Sequence, residues 1–176
     1  MLPNPLHPAI IHFPIVLMML LPIIAGGALW AIRRGSNIRR AWTIPLVGAA
    51  ALAASAWLSV ETGQQQGERV ERIVSEQPVE VHEEAAELFL TLSGALLVVA
   101  AAGMIRGTVG RSARVIATIG TVGLAVAGVR VGATGGELVY THGAANAYTQ
   151  PSTTPVGLKP QAGKRVEEAG GDVRER

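Results

Sequence analysis

The chain contains no cysteine, which excludes disulfides, cysteine-ligated iron–sulfur clusters and covalent c-type haem attachment. Charge is missing in a second way that says more. No ionisable residue occurs between Ala41 and Val60, and none between Leu88 and Ile105. Uncharged apolar runs of about 18 residues or more are long enough for a helix to cross a bilayer. There is also no basic stripe interleaved with aromatics, so a pI near 9.5 does not point to nucleic acid. The segment His82-Glu83-Glu84-Ala85-Ala86 lacks the second histidine of a zinc-protease helix, and a metalloprotease reading fails there. The first residues lack a basic region, and the apolar run after them is too long for a signal peptide, so it reads as a retained first span.

What is present is strongly apolar. At 176 residues the chain has room for one domain, and 49% of it is hydrophobic against 16% charged. These features predict an all-α, integral membrane four-helix bundle over residues 1–143, with spans near 8–32, 41–60, 84–105 and 115–140. Pro8 suits a first helical turn, whereas Pro14 and Pro22 should bend the first span. The second span is rich in alanine. In the fourth, Gly128, Gly132 and Gly136 recur every four residues, a spacing that predicts a small-residue packing strip. Val70, Ile73 and Val74 at helical spacing, followed by Pro78, predict a separate amphipathic helix over 64–76 on the membrane surface. Residues 144–176 turn to Gly, Ala, Pro, Ser and Thr and then to charge, and read as a disordered external tail.

Arginine sets the expected topology. Arg33, Arg34, Arg39 and Arg40 share one loop without an acid, and Arg106, Arg111 and Arg114 share another. The stretch from Glu61 to Glu84 has seven glutamates and two arginines. The positive-inside bias puts both arginine loops in the cytoplasm, leaving both termini and the acidic stretch outside. Trp30 and Trp42 then flank the inner interface, and Phe13, Trp57, Phe89 and Tyr140 the outer one. Each half opens with a histidine and closes near a glutamate: His7 to Glu61 and His82 to Glu137 are 54 and 55 residues apart. Both halves run out–in–out, which suggests a parallel repeat of two helical hairpins.

This topology brings all four histidines, His7, His12, His82 and His142, to the outer face from three spans. His7 and His82 are placed at helix N-termini, where the dipole favours the neutral, metal-ligating imidazole. Glu61 and Glu137 fall near helix C-termini, against the usual dipole preference. Arg130 lies inside the fourth span with Glu137 two turns on, so an Arg130–Glu137 pair and a polar network with Glu61 are expected.

His7-Pro8 with His12-Phe13-Pro14, the histidine opening the third span, and Gly135-Gly136-Glu137-Leu138-Val139-Tyr140 with His142-Gly143 resemble a family of bacterial four-helix membrane proteins catalogued as a domain of unknown function. The resemblance covers about residues 6–143. It implies a compact four-helix membrane domain, sometimes encoded with or fused to cytochrome or Rieske-type redox modules, and no established activity.

The functional expectation follows from the histidines. A membrane-embedded redox module would hold one b-type haem, or else a copper or other metal ion, through His7, His12, His82 and His142. It would pass electrons to or from a partner at the bacterial cytoplasmic membrane. The rival from another class is a cofactor-free membrane anchor or assembly subunit of a redox complex. A third reading is a small transporter or proton pathway using Glu61, Arg130, Glu137 and the histidines. In none of these is the chain expected to be an independent enzyme.

Overall fold

The computed structural model describes residues 6–149, so most of the tail expected over 144–176 lies outside the described residues. The elements are α1 (His7–Ile10), α2 (His12–Arg33), α3 (Ile38–Glu71), α4 (Glu76–Ala102), α5 (Gly107–Tyr140) and α6 (Asn146–Thr149). Among the described residues there is no strand.

The first span is α1 and α2 in series. Pro14 has no N–H to offer the Ile10 carbonyl, and the ladder breaks there. Ile11 keeps helical dihedrals of φ −58° and ψ −21°, so the chain continues in nearly the same direction. Helix α2 ends in a Schellman turn: Ser36 N–H donates to the Ala31 carbonyl and Gly35 N–H to that of Ile32, each at 3.0 Å. This turn needs the left-handed conformation that Gly35 adopts at φ +97°. The Asn37 side chain then caps α3 by accepting from Arg40 N–H at 3.3 Å.

Among the described residues, four helices, counting α1 with α2 as one, are long and apolar enough to cross a membrane. They form a ring in which α2 packs on α3, α3 on α4, α4 on α5, and α5 back on α2, with α1 lying against α3. The distribution of side-chain size supports a lipid surround. Small residues such as Ala25, Ala49, Ala56, Ala100 and Ala117 fill the interior, while Ile23, Val98, Ile119 and Val126 point outward. Close packing through small residues, with bulky ones facing out, is the arrangement used where lipid replaces water.

At the end carrying the arginine turns, Trp42 is fully buried and donates from Nε1 to the Ala100 carbonyl at 2.8 Å. A Cβ on Gly103 would stand 2.3 Å from that nitrogen, so the close approach requires glycine. Arg114, also buried, donates from Nη1 to the carbonyls of Gly103 and Ile105. It thereby closes the C-terminal end of α4, where helix carbonyls lack partners and the dipole favours a cation. Two sequence expectations are corrected at this point. Trp42 is a core residue and not part of an interfacial belt, and Phe89 is likewise buried.

At the opposite end the helices outrun the apolar spans. A 34-residue helix is about 51 Å long, against an apolar bilayer core of about 30 Å, and both α3 and α5 have 34 residues. The separate helix expected over 64–76 is instead the last two turns of α3, a tight turn, and the start of α4. No residue between Val60 and Glu71 forces a break, and Pro78 falls in the first turn of α4, where its missing N–H costs nothing. Val74, Val79, Leu138 and Ala144 form a second, small apolar cluster at this end. Tyr148 of α6 reaches back, donating to Gln66 Oε1 at 3.3 Å under the Arg69 guanidinium. Burial pushes the Tyr148 phenol up while Arg69 opposes this, so it stays a donor. Residues 144–149 thus belong to the folded domain.

The glycine strip also changes. An added Cβ at Gly128 would lie 2.0 Å from Met18 Sδ and 3.1 Å from Phe89, whereas Gly132 and Gly136 have nothing within 4 Å. Only the first of the three is a packing contact.

Candidate functional site

His7 opens α1 and lies on α3. Its Nδ1 is 2.9 Å from the Ser59 carbonyl and 3.4 Å from Thr62 Oγ1. His82, in the second turn of α4, lies on α5, with Nδ1 2.9 Å from Thr134 Oγ1. The Val131 carbonyl lies close to the same ring. The two imidazoles are within electrostatic range of each other.

These two settings correspond group by group. Each imidazole meets a threonine hydroxyl, the carbonyl three residues before that threonine, and the glycine after it. Thr62 Oγ1 is 3.2 Å from the Ser59 carbonyl and 2.8 Å from that of Leu58. Thr134 Oγ1 donates to the Val131 carbonyl at 3.0 Å. A Cβ on Gly63 would stand 3.2 Å from His7 Cε1, and one on Gly135 3.0 Å from His82 Cε1. Both glycines therefore let a ring edge rest directly on helix backbone.

The network fixes where the protons sit. A carbonyl only accepts, so Nδ1 of His7 is the protonated nitrogen. At His82 the 2.9 Å contact alone suits either direction, since a hydroxyl both donates and accepts; with the Thr134 proton on the Val131 carbonyl at 3.0 Å, the hydroxyl oxygen accepts Nδ1–H. Each ring then presents an Nε2 lone pair, and neither Nε2 makes a hydrogen bond among the described residues. Imidazoles that ligate a metal are commonly held this way, with the second nitrogen donating to a carbonyl or another acceptor.

The other predicted residues are not brought to this pair. His12 is exposed at the start of α2. His142, in the turn after α5, has Nε2 3.9 Å from Glu137 Oε1. That contact takes the place of the expected Arg130–Glu137 pair; Arg130 is exposed and forms no ion pair among the described residues. Glu61 accepts from Gln65 at 3.3 Å and lies in mid-helix, since α3 runs on to Glu71. His82 is not at a helix terminus either, because α4 starts at Glu76.

Among the described residues no group of three or more His, Cys, Asp or Glu side chains could hold a metal ion. A bare tetrahedral metal needs at least three such ligands, whereas a haem iron needs one or two axial ones. The donor set fits the second. An apolar cavity of about 10 Å³ at the Trp42 level is too small for a haem.

Ser59, Thr62, Gly63, Val131, Thr134 and Gly135 were not singled out as anchors by the sequence reading. A signal existed: the dipeptide Thr-Gly occurs twice in the chain, at 62–63 and 134–135. No family model, curated protein or solved structure matches this chain.

Proposed function

We propose that the protein is a membrane-embedded redox module in which His7 and His82 would hold one b-type haem. The observation that carries this reading is the matched pair of Nδ1 anchors, which leaves two Nε2 lone pairs, one on α1 and one on α4. When bound, the haem supplies reversible one-electron chemistry. The chain's own residues do the rest. Ser59, Thr62, Val131 and Thr134 orient the rings, and Gly63 and Gly135 admit them to the helix surface. His12 and His142 take no ligand role.

By the positive-inside argument the histidine end faces outward at a bacterial cytoplasmic membrane. The matched anchors support a duplication of two hairpins, in the register Thr62–Gly63 with Thr134–Gly135. The partner class that fits an outward-facing haem is a cytochrome or Rieske-type redox protein. A second reading, the cofactor-free anchor or assembly subunit, draws support from the closely packed interior.

Expression with haem supplementation followed by an optical spectrum of the purified protein separates the two. A low-spin Soret band is expected, lost in His7→Ala and in His82→Ala and kept in His12→Ala and His142→Ala. A colourless wild-type protein that takes up no added haem would transfer the assignment to the anchor.

A further inference from the structure

The two imidazole anchors are alike in composition but unequal in strength. At His7 the nearer acceptor is a backbone carbonyl, with the Thr62 hydroxyl farther away at 3.4 Å. At His82 the near acceptor is a hydroxyl, Thr134 Oγ1 at 2.9 Å, and the Val131 carbonyl stands behind it as the recipient of the hydroxyl's own proton. Side-chain substitution leaves the first anchor in place and removes the second.

We infer that Thr134 is the positioning residue of the site: it holds His82 as the Nδ1–H tautomer through the chain His82 Nδ1–H to Thr134 Oγ1–H to Val131 carbonyl, while His7 is held by backbone and needs no side chain. The inference deepens the haem reading and rests on it for its redox consequence, but its core concerns the imidazole alone. Two features support it. First, a threonine hydroxyl already donating to its i−3 carbonyl has only lone pairs to offer, which dictates the direction of the bond from histidine. Second, the ring edge rests on Gly135, where a Cβ would be 3.0 Å from Cε1, so the ring sits where Thr134 can reach it.

The consequence for a ligand is directional. A donor bond from Nδ1–H raises the basicity of Nε2 and strengthens its bond to a metal. A more basic axial imidazole favours the higher oxidation state of the iron. Loss of the hydroxyl at Thr134 should therefore weaken haem binding by roughly 10- to 100-fold, the usual effect of losing such an outer partner, and move the midpoint potential upward. Loss of the hydroxyl at Thr62 should do neither.

The test begins on haem-free protein, so that it does not depend on the cofactor. With only four histidines, ¹⁵N-histidine labelling resolves each ring. Wild-type His7 and His82 are expected as Nδ1–H tautomers; Thr134→Val should shift His82 toward Nε2–H, Thr62→Val should leave His7 unchanged, and Thr134→Ser should restore His82. Potentiometry on haem-loaded protein is the second arm, with the midpoint raised in Thr134→Val, restored in Thr134→Ser and unmoved in Thr62→Val. Nε2–H tautomers in the wild type, or equal responses at Thr62 and Thr134, would overturn the inference. Failure of wild type to bind haem with the tautomers as expected would sink the haem reading and leave the role of Thr134 standing.

Discussion

Gly128 and Gly132 are one helical turn apart on α5, and their surroundings are opposite. The first faces Met18 and Phe89, with a Cβ position 2.0 Å from sulfur; the second faces open space. Adding bulk to a filled contact forces neighbours off their rotamers at a cost of about 1–3 kcal/mol. Gly128→Leu should therefore lower the thermal midpoint in detergent, and Gly132→Leu should leave it within error of wild type. Equal effects would mean that the packing of α2, α4 and α5 has been misread. The contrast also shows what single residues reveal in a sequence. A four-residue glycine spacing marks one helix face, but which member of the row touches a neighbour depends on where the next helix crosses. The histidines were legible because few residue types carry that chemistry. Their anchors were not, because threonine and glycine are ordinary packing residues in apolar helices and a backbone carbonyl leaves no mark in a sequence at all.

The elements themselves were largely readable. Four long apolar runs predicted four helices, and the described residues contain four helices long and apolar enough to cross a membrane. Their ends were misplaced for a physical reason: charge marks the edge of the apolar span, whereas a helix stops only where its hydrogen bonding is broken or capped. Helix α3 therefore runs past Val60 to Glu71, and α4 begins at Glu76, ahead of its apolar run. Arg114 was misread in the same way. Counted as a topological charge, it is instead a buried cap on the carbonyls of Gly103 and Ile105. Hydrogen bonds to charged groups contribute about 1.5–3 kcal/mol. Arg114→Met should thus destabilise the bundle by about that amount, whereas removal of the exposed Arg111 should not. Thermal unfolding of both variants in one detergent provides the comparison, and equal midpoints would return Arg114 to the loop.

For the whole molecule, the absence of native cysteine allows clean single-cysteine reporters of orientation. Ser36 lies in the turn between α2 and α3 and Ser75 in the turn between α3 and α4, and both are exposed. In intact cells an impermeant maleimide should label Ser75→Cys and spare Ser36→Cys. The reverse pattern would turn the histidine end to the cytoplasm and rule out an external redox partner. The bundle's distribution of size, small inside and large outside, has a separate consequence. With only 22–28% of the most apolar window in each of the four helices buried inside the protein, most of each window is left to its surroundings, which in a bilayer would be acyl chains. Loss of the native state in a bilayer would then mean intact rods drifting apart in two dimensions, each still satisfying its own backbone. A mutation that loosens the ring would change how the helices are arranged, not whether they exist.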